Sequence, residues 1–141
     1  MNNAMDEKAI EEYFTSIGKT LSDNFICGYV EPNDLDLPIF ESLSYVSVKS
    51  FIISFDSNEI IMVPLSPVGN FQLDEEPIII KKENIDRIKV KKGIIQYALT
   101  IFLRDDKFKI KMGKKIISHD WHSNNLKYLI ENNWFMPNLL K

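Results

Sequence analysis

Two histidines three residues apart flank an acidic residue near the carboxyl end of the chain. On a helical turn, His119, Asp120 and His122 could offer a divalent cation two imidazoles and a carboxylate. No third protein ligand is evident near them, and their spacing is not that of a His-Glu-x-x-His zinc motif. We therefore predict an exposed helical turn with two polar histidines, and a protein with no bound metal or other cofactor.

Cys27 and the loop carboxylates are the remaining candidates for catalysis. Cys27 lies in a short apolar run, which predicts a small buried side chain rather than a nucleophile beside a histidine. Asp34, Asp36 and the run 74–76 lie in proline-flanked loops, where we expect solvated carboxylates rather than a buried general acid. The chain has neither a glycine-rich phosphate loop nor a Gly-x-Ser-x-Gly motif. The sequence therefore predicts no enzymatic activity.

Basic side chains are concentrated in the second half of the chain. Residues 1–76 carry 14 acidic residues and three lysines, a net charge of −11, whereas residues 77–141 carry 14 basic and six acidic residues, a net charge of +8. Alternation along a strand brings residues of the same parity to one face. If the two most basic strands are neighbours, six cations share a sheet face: Arg87, Lys89, Lys91, Lys107, Lys109 and Lys111.

The six basic residues allow several interpretations. It could bind an acidic protein or anionic lipid headgroups, or it could only solvate the sheet and protect its edges. Nucleic acid is disfavoured because the isoelectric point is about 5.4 and no aromatic residue is expected among the lysines of the polar face. We predict a non-catalytic binding or scaffolding module for a protein partner, with anionic lipid headgroups as the alternative.

Self-association is one form of that prediction. The acidic and basic halves could meet between subunits, or could neutralise each other within one monomer. The apolar tail contains Trp134, Phe135 and Met136, residue types that are enriched at interface cores. We therefore predict these three as interface residues, with folding back onto the sheet as the other possibility.

Hydrophobic periodicity defines the elements that carry these residues. Residues 6–21 predict an amphipathic helix, and a second helix is predicted from 118, with Ser118 as its N-cap. Between them we expect a loop at 31–38 and about seven short strands, with Pro64 indicating a sheet edge. The clearest strand alternates lysines with Phe108, Ile110 and Met112.

The order of elements predicts one α+β domain. It comprises an N-terminal helical extension (1–24), a strongly bent antiparallel sheet or partly open barrel (25–117), a capping helix (118–133) and an apolar tail (134–141). One cysteine, no secretory pattern and no apolar run of 18 residues together predict a cytoplasmic protein without a transmembrane segment.

Three patterns within residues 45–131 resemble a bacterial pleckstrin-homology-like domain. They are the strand 85–93, with isoleucines three apart before a turn, the long hairpin 94–112, and the helix 118–130 with Trp121 and Leu126 facing inward. The turn 56–59 differs from the Thr-Asn-x-Arg-like turn of the commoner bacterial versions. The resemblance implies a bent seven-stranded barrel whose open end is plugged by the C-terminal helix, and it implies no function more specific than binding.

Overall fold

A computed structural model describes residues 6–45, 47–71 and 74–140 of the chain. Within them, three α-helices accompany a single antiparallel sheet of seven strands, as expected for an α+β protein. The helices are α1 (Glu7–Ser16), α2 (Pro32–Leu35) and α3 (Asp120–Glu131). The strands are β1 (Phe25–Val30), β2 (Lys49–Phe55), β3 (Glu59–Pro64), β4 (Ile78–Lys81), β5 (Ile85–Lys92), β6 (Gln96–Leu103) and β7 (Lys107–Gly113). Short 3-10 segments occupy Pro38–Phe40, Lys82–Asn84, Asn133–Phe135 and Pro137–Leu139.

The sheet has the strand order β4-β3-β2-β1-β7-β6-β5, and it is not closed. Its two halves are sequential meanders that meet where β1 lies beside β7, with Tyr29 opposite Lys111. The edges are β4 and β5, which follow each other in the chain but do not pair. Pro64 does not mark an edge as predicted, because it is the last residue of β3, which lies between β2 and β4. At a strand end, the missing N–H of proline disturbs little of the ladder.

Two apolar clusters hold the sheet, one on each side. The inner cluster lies between one face of the sheet and α3, and it includes Phe51, Phe108 and Leu129. The outer cluster joins Ile10 and Phe14 of α1 to side chains of β1, β2 and β3. Strand β3 is consequently buried at every position, whereas β5 and β7 alternate between buried and more exposed residues. The outer face of the β5–β7 half is therefore the one that α1 does not cover.

Both long helices differ in length from the sequence prediction. Helix α1 ends at Ser16 rather than at 21, because Gly18 adopts a φ of +84° and lets the chain turn away. The Lys19 N–H then donates to the Phe14 carbonyl (2.8 Å), which gives a Schellman cap. Helix α3 begins at Asp120 with His119 at the cap position, so the predicted Ser118 cap is wrong. The predicted loop 31–38 contains the single turn of α2.

The tail folds back onto its own domain. Trp134 and Met136 are buried in the inner cluster, while Phe135 is half-buried and its ring lies 5.7 Å from that of Tyr128. The tail therefore adopts the second predicted possibility, folding back onto the sheet: burial takes Trp134 and Met136 into the core, whereas Phe135 stays half-buried. Left-handed backbone at 133–135 reverses the chain, and Leu140 then bridges to Ile88 of β5.

Candidate functional site

The six predicted cations lie on two strands that are not neighbours, because β6 separates β5 from β7. The strand pairing nevertheless aligns them across one face in three rows: Arg87–Phe102–Lys107, Lys89–Thr100–Lys109 and Lys91–Ala98–Lys111. With standard sheet spacing, the two cations of a row have backbones about 10 Å apart, and successive rows are about 7 Å apart. We call this surface, with its six cations and the three β6 residues between them, the basic face.

An aromatic side chain lies at one end of the basic face. The Arg87 guanidinium carbon is 3.8 Å from the centre of the Phe102 ring, and the Lys107 ammonium is 5.7 Å from it. The expectation that no aromatic residue accompanies the lysines was therefore wrong. The signal was the parity of β6, where Phe102 shares a face with Thr100 and Ala98, opposite the buried Leu99 and Ile101. Phe102 gives the face an apolar contact point between two cations.

Acidic residues after β1 form a wall beside the basic face. Glu31 makes an ion pair with Lys111 (2.7 Å), and this hydrogen bond raises the pKa of Lys111 above its ordinary value. The Asp34 carboxylate accepts the backbone N–H of Lys109 (2.8 Å), opposite the point where β1 has ended. Among the described residues, Lys111 is the only one of the six cations in an ion pair.

A cleft of about 530 Å³ lies between this acidic wall and the centre of the basic face. Lys89, Lys107 and Lys109 line it together with the Thr100 hydroxyl and the Phe102 ring. Thus three cations, one hydrogen-bonding group and one aromatic surface converge on one concave region. Such a combination can hold a carboxylate or another anionic group by ion pairing, with apolar contact beside it.

His122 is buried, contrary to the predicted exposed turn. Its Nδ1 accepts the backbone N–H of Cys27 (3.2 Å), so the proton lies on Nε2, which donates to the Gly113 carbonyl (2.6 Å). Burial lowers the pKa of His122, and the Gly113 hydrogen bond opposes that effect only in part. Both nitrogens are thus used within the protein, which leaves neither for a metal ion. Among the described residues, no three His, Cys, Asp or Glu side chains are grouped to hold one.

His122 lies over the junction of β1 and β7, and this explains why both of its nitrogens bond to the backbone. Since Tyr29 pairs with Lys111, continuing the register places Cys27 opposite Gly113, and the imidazole bridges these two residues where the strands separate. One turn further along α3, the Asn125 amide donates to the Phe25 carbonyl of β1 (3.0 Å). Two polar side chains of the helix therefore replace ladder hydrogen bonds between β1 and β7. From the sequence, His122 was predicted on an exposed turn and Asn125 was not singled out, although polar residues three apart on an otherwise apolar helix face were the available signal.

The thiol and two of the carboxylates that were considered as catalytic candidates are buried or bonded within the fold. Burial raises the pKa of the Cys27 thiol to about 11, which keeps the thiol protonated at neutral pH. Glu75 is buried, contrary to the predicted solvated loop, and it pairs with Lys49 (2.8 Å) while accepting the Ser44 N–H (2.5 Å). Asp36 accepts the Tyr45 hydroxyl (2.5 Å). These groups connect segments of the fold.

No protein-family model matches this chain, and comparison with curated protein sequences gives no match. A solved structure that overlaps it is the hSac2 domain from human phosphoinositide phosphatase Sac2. The overlap has a TM-score of 0.41 and 10% sequence identity, and it covers 88% of this chain and 76% of that domain. A similarity at this level carries no argument about activity or ligand. Separately, no helix of the described residues is long and apolar enough to cross a membrane.

Proposed function

We propose that this chain is a non-catalytic binding module of the pleckstrin-homology-like class, and that its basic face binds an acidic surface of a protein partner. Support for the class comes from the strand order, in which two antiparallel meanders join at β1 and β7, and from the C-terminal helix, which packs on the apolar cluster that both meanders share. Support for the site comes from one observation above all: three aligned rows of cations lie on the half of the sheet whose outer face α1 leaves uncovered.

A protein partner accounts for the composition of this face better than a lipid surface does. Arginine and aromatic side chains in contact, as in the Arg87–Phe102 pair, are typical of protein interfaces. Glu31 and Asp34 at the wall of the cleft would meet headgroups of like charge if the face lay flat on an anionic bilayer. The chain as a whole is also acidic, with a net charge of −3.

The test uses two anionic probes and two charge-matched variants. The probes are a short fluorescent peptide of alternating glutamate and valine, and vesicles rich in phosphatidylglycerol. The variant Lys89→Glu/Lys109→Glu reverses the centre of the basic face. The control Lys8→Glu/Lys127→Glu makes the same change in total charge at exposed lysines of α1 and α3.

We expect the peptide to bind the unaltered protein and the control, and to bind the basic-face variant about tenfold more weakly. That estimate follows from losing two surface ion pairs of about 0.2–1 kcal/mol each and adding two repulsive contacts. Equal peptide binding by both variants would remove the basic face as the site. If the protein instead binds the vesicles in a salt-sensitive way, does not bind the peptide, and loses vesicle binding only in the basic-face variant, the partner is a lipid surface rather than a protein.

A further inference from the structure

A second groove lies between the edge strand β4 and the β6–β7 turn. It has a volume of about 790 Å³, in the upper part of the range typical of binding sites. Its apolar lining comes from Ile39, Leu103 and the isoleucines of β4. It shares no lining residue with the cleft on the basic face.

Within the described residues, β4 pairs only with β3, so its other side has backbone groups facing this groove. The Lys82 N–H donates to the Asn58 carbonyl (2.8 Å), which fixes the alternation of the ladder. Because antiparallel pairs alternate, Ile78 and Ile80 bond to β3, and the N–H and C=O groups of Ile79 and Lys81 point outward. Ile79 is also 48% exposed. The edge can therefore accept another strand.

The charge around the groove selects the kind of strand. Its lining contains one guanidinium, from Arg104, and five carboxylates: Glu76, Glu83, Asp86, Asp105 and Asp106. An acidic segment would be repelled there, whereas lysine or arginine side chains beside an extended backbone would meet carboxylates. Apolar side chains on alternate positions of the same segment would face the isoleucine lining.

We propose that this groove binds an extended basic peptide segment of a partner protein, which adds a strand to the outer edge of β4. Backbone hydrogen bonds to Ile79, the outward-facing residue of β4 that lines the groove, supply the pairing, and the carboxylates of the rim select basic side chains. This mode of recognition is independent of the basic face. The chain would then have two binding surfaces of opposite charge on one sheet.

The test separates backbone pairing from charge. Its probe is a short fluorescent peptide of alternating lysine and valine, compared with the same peptide N-methylated on its backbone. Ile79→Pro removes the outward N–H while leaving the hydrogen bonds of Ile78 and Ile80 to β3, and Ile79→Ala is its matched control. Asp86→Lys/Asp105→Lys reverses the charge at two exposed rim positions. Circular dichroism shows whether each variant keeps the native fold.

We expect the lysine–valine peptide to bind, and to bind Ile79→Pro and Asp86→Lys/Asp105→Lys about tenfold more weakly while Ile79→Ala is affected much less. Equal binding of the N-methylated peptide, or unchanged binding by a folded Ile79→Pro variant, would overturn strand addition. If the protein self-associates and Ile79→Pro abolishes that association, the strand that pairs with β4 comes from a second copy of this chain, and the proposed partner protein is wrong. The Lys89→Glu/Lys109→Glu variant should bind this probe at least as well as the unaltered protein does, so the two proposals fail separately.

Discussion

Replacing His122 with leucine should destabilise the domain severely, because one imidazole satisfies two backbone groups at the junction of its halves. In His122→Leu, the Cys27 N–H and the Gly113 carbonyl both lose their partner. An unsatisfied buried group costs about 1–3 kcal/mol. Because Gly113 is only half-buried, water can reach part of this site, and we place the total loss at about 2–4 kcal/mol. That is a large share of the ~5–15 kcal/mol that stabilises a typical domain.

The assay is urea unfolding followed by tryptophan fluorescence, since Trp134 is buried in the inner cluster and reports on its loss. His119→Leu is the control, because His119 has no side-chain hydrogen bond at the helix start. The Cys27 amide should also exchange its hydrogen much faster in His122→Leu than in the unaltered protein. An unfolding free energy within about 0.5 kcal/mol of the unaltered protein, with Cys27 still protected, would refute this role of His122.

Three further perturbations test the account of the fold. Folding lowers the pKa of His122 below its ordinary value of 6.5, so the unfolded chain binds the proton more readily than the folded protein does. The contribution of the neutral imidazole to stability is therefore present above about pH 6.5. It is lost as the pH falls toward the lowered pKa. Unfolding free energies measured across that range should show the decline, and His122→Leu should flatten it. Gly28→Ala should cost about 1–3 kcal/mol in urea unfolding, since the new Cβ would lie 2.9 Å from a methyl carbon of Ile110; no loss would contradict close packing of β1 on β7. Lys49→Met should lower the free energy of unfolding by about 3–5 kcal/mol, because it leaves the buried Glu75 carboxylate without its cation. The double variant Lys49→Met/Glu75→Leu should recover much of that loss. Equal unfolding free energies for the single and double variants would contradict a buried ion pair.

The β5–β7 half of the sheet could be predicted closely from sequence because only one of its faces is buried. Water on one side and the inner cluster on the other produce strict alternation, as in Lys107 to Met112. The order of these strands was less accessible: periodicity assigns a residue to a face, but it does not say that β6 separates β5 from β7. Phe102 was missed because apolar side chains occur on both faces of β6, so that only Gln96 and Thr100 distinguish its outer face.

The β1–β3 half and the tail could not be predicted in the same way. Helix α1 covers the outer face of these strands, so β3 is buried throughout and shows no alternation. The apolar stripe of α1 indicated that it packs on something, but not on which surface. Tryptophan is a residue type common at interfaces, but Trp134 becomes part of the core because left-handed backbone at 133–135 turns the chain inward. Non-glycine residues seldom adopt that conformation, so a sequence pattern gives no reason to expect it.

An amide-resolved NMR titration of the unaltered protein with the glutamate–valine peptide would locate the binding surface. We expect chemical-shift changes centred on Lys89, Thr100 and Lys109, with none at α1 or at β4, and we expect these changes to disappear at near-molar salt. Changes centred on another surface, or changes at the basic face that persist undiminished at high salt, would contradict an electrostatic binding site on this half of the sheet.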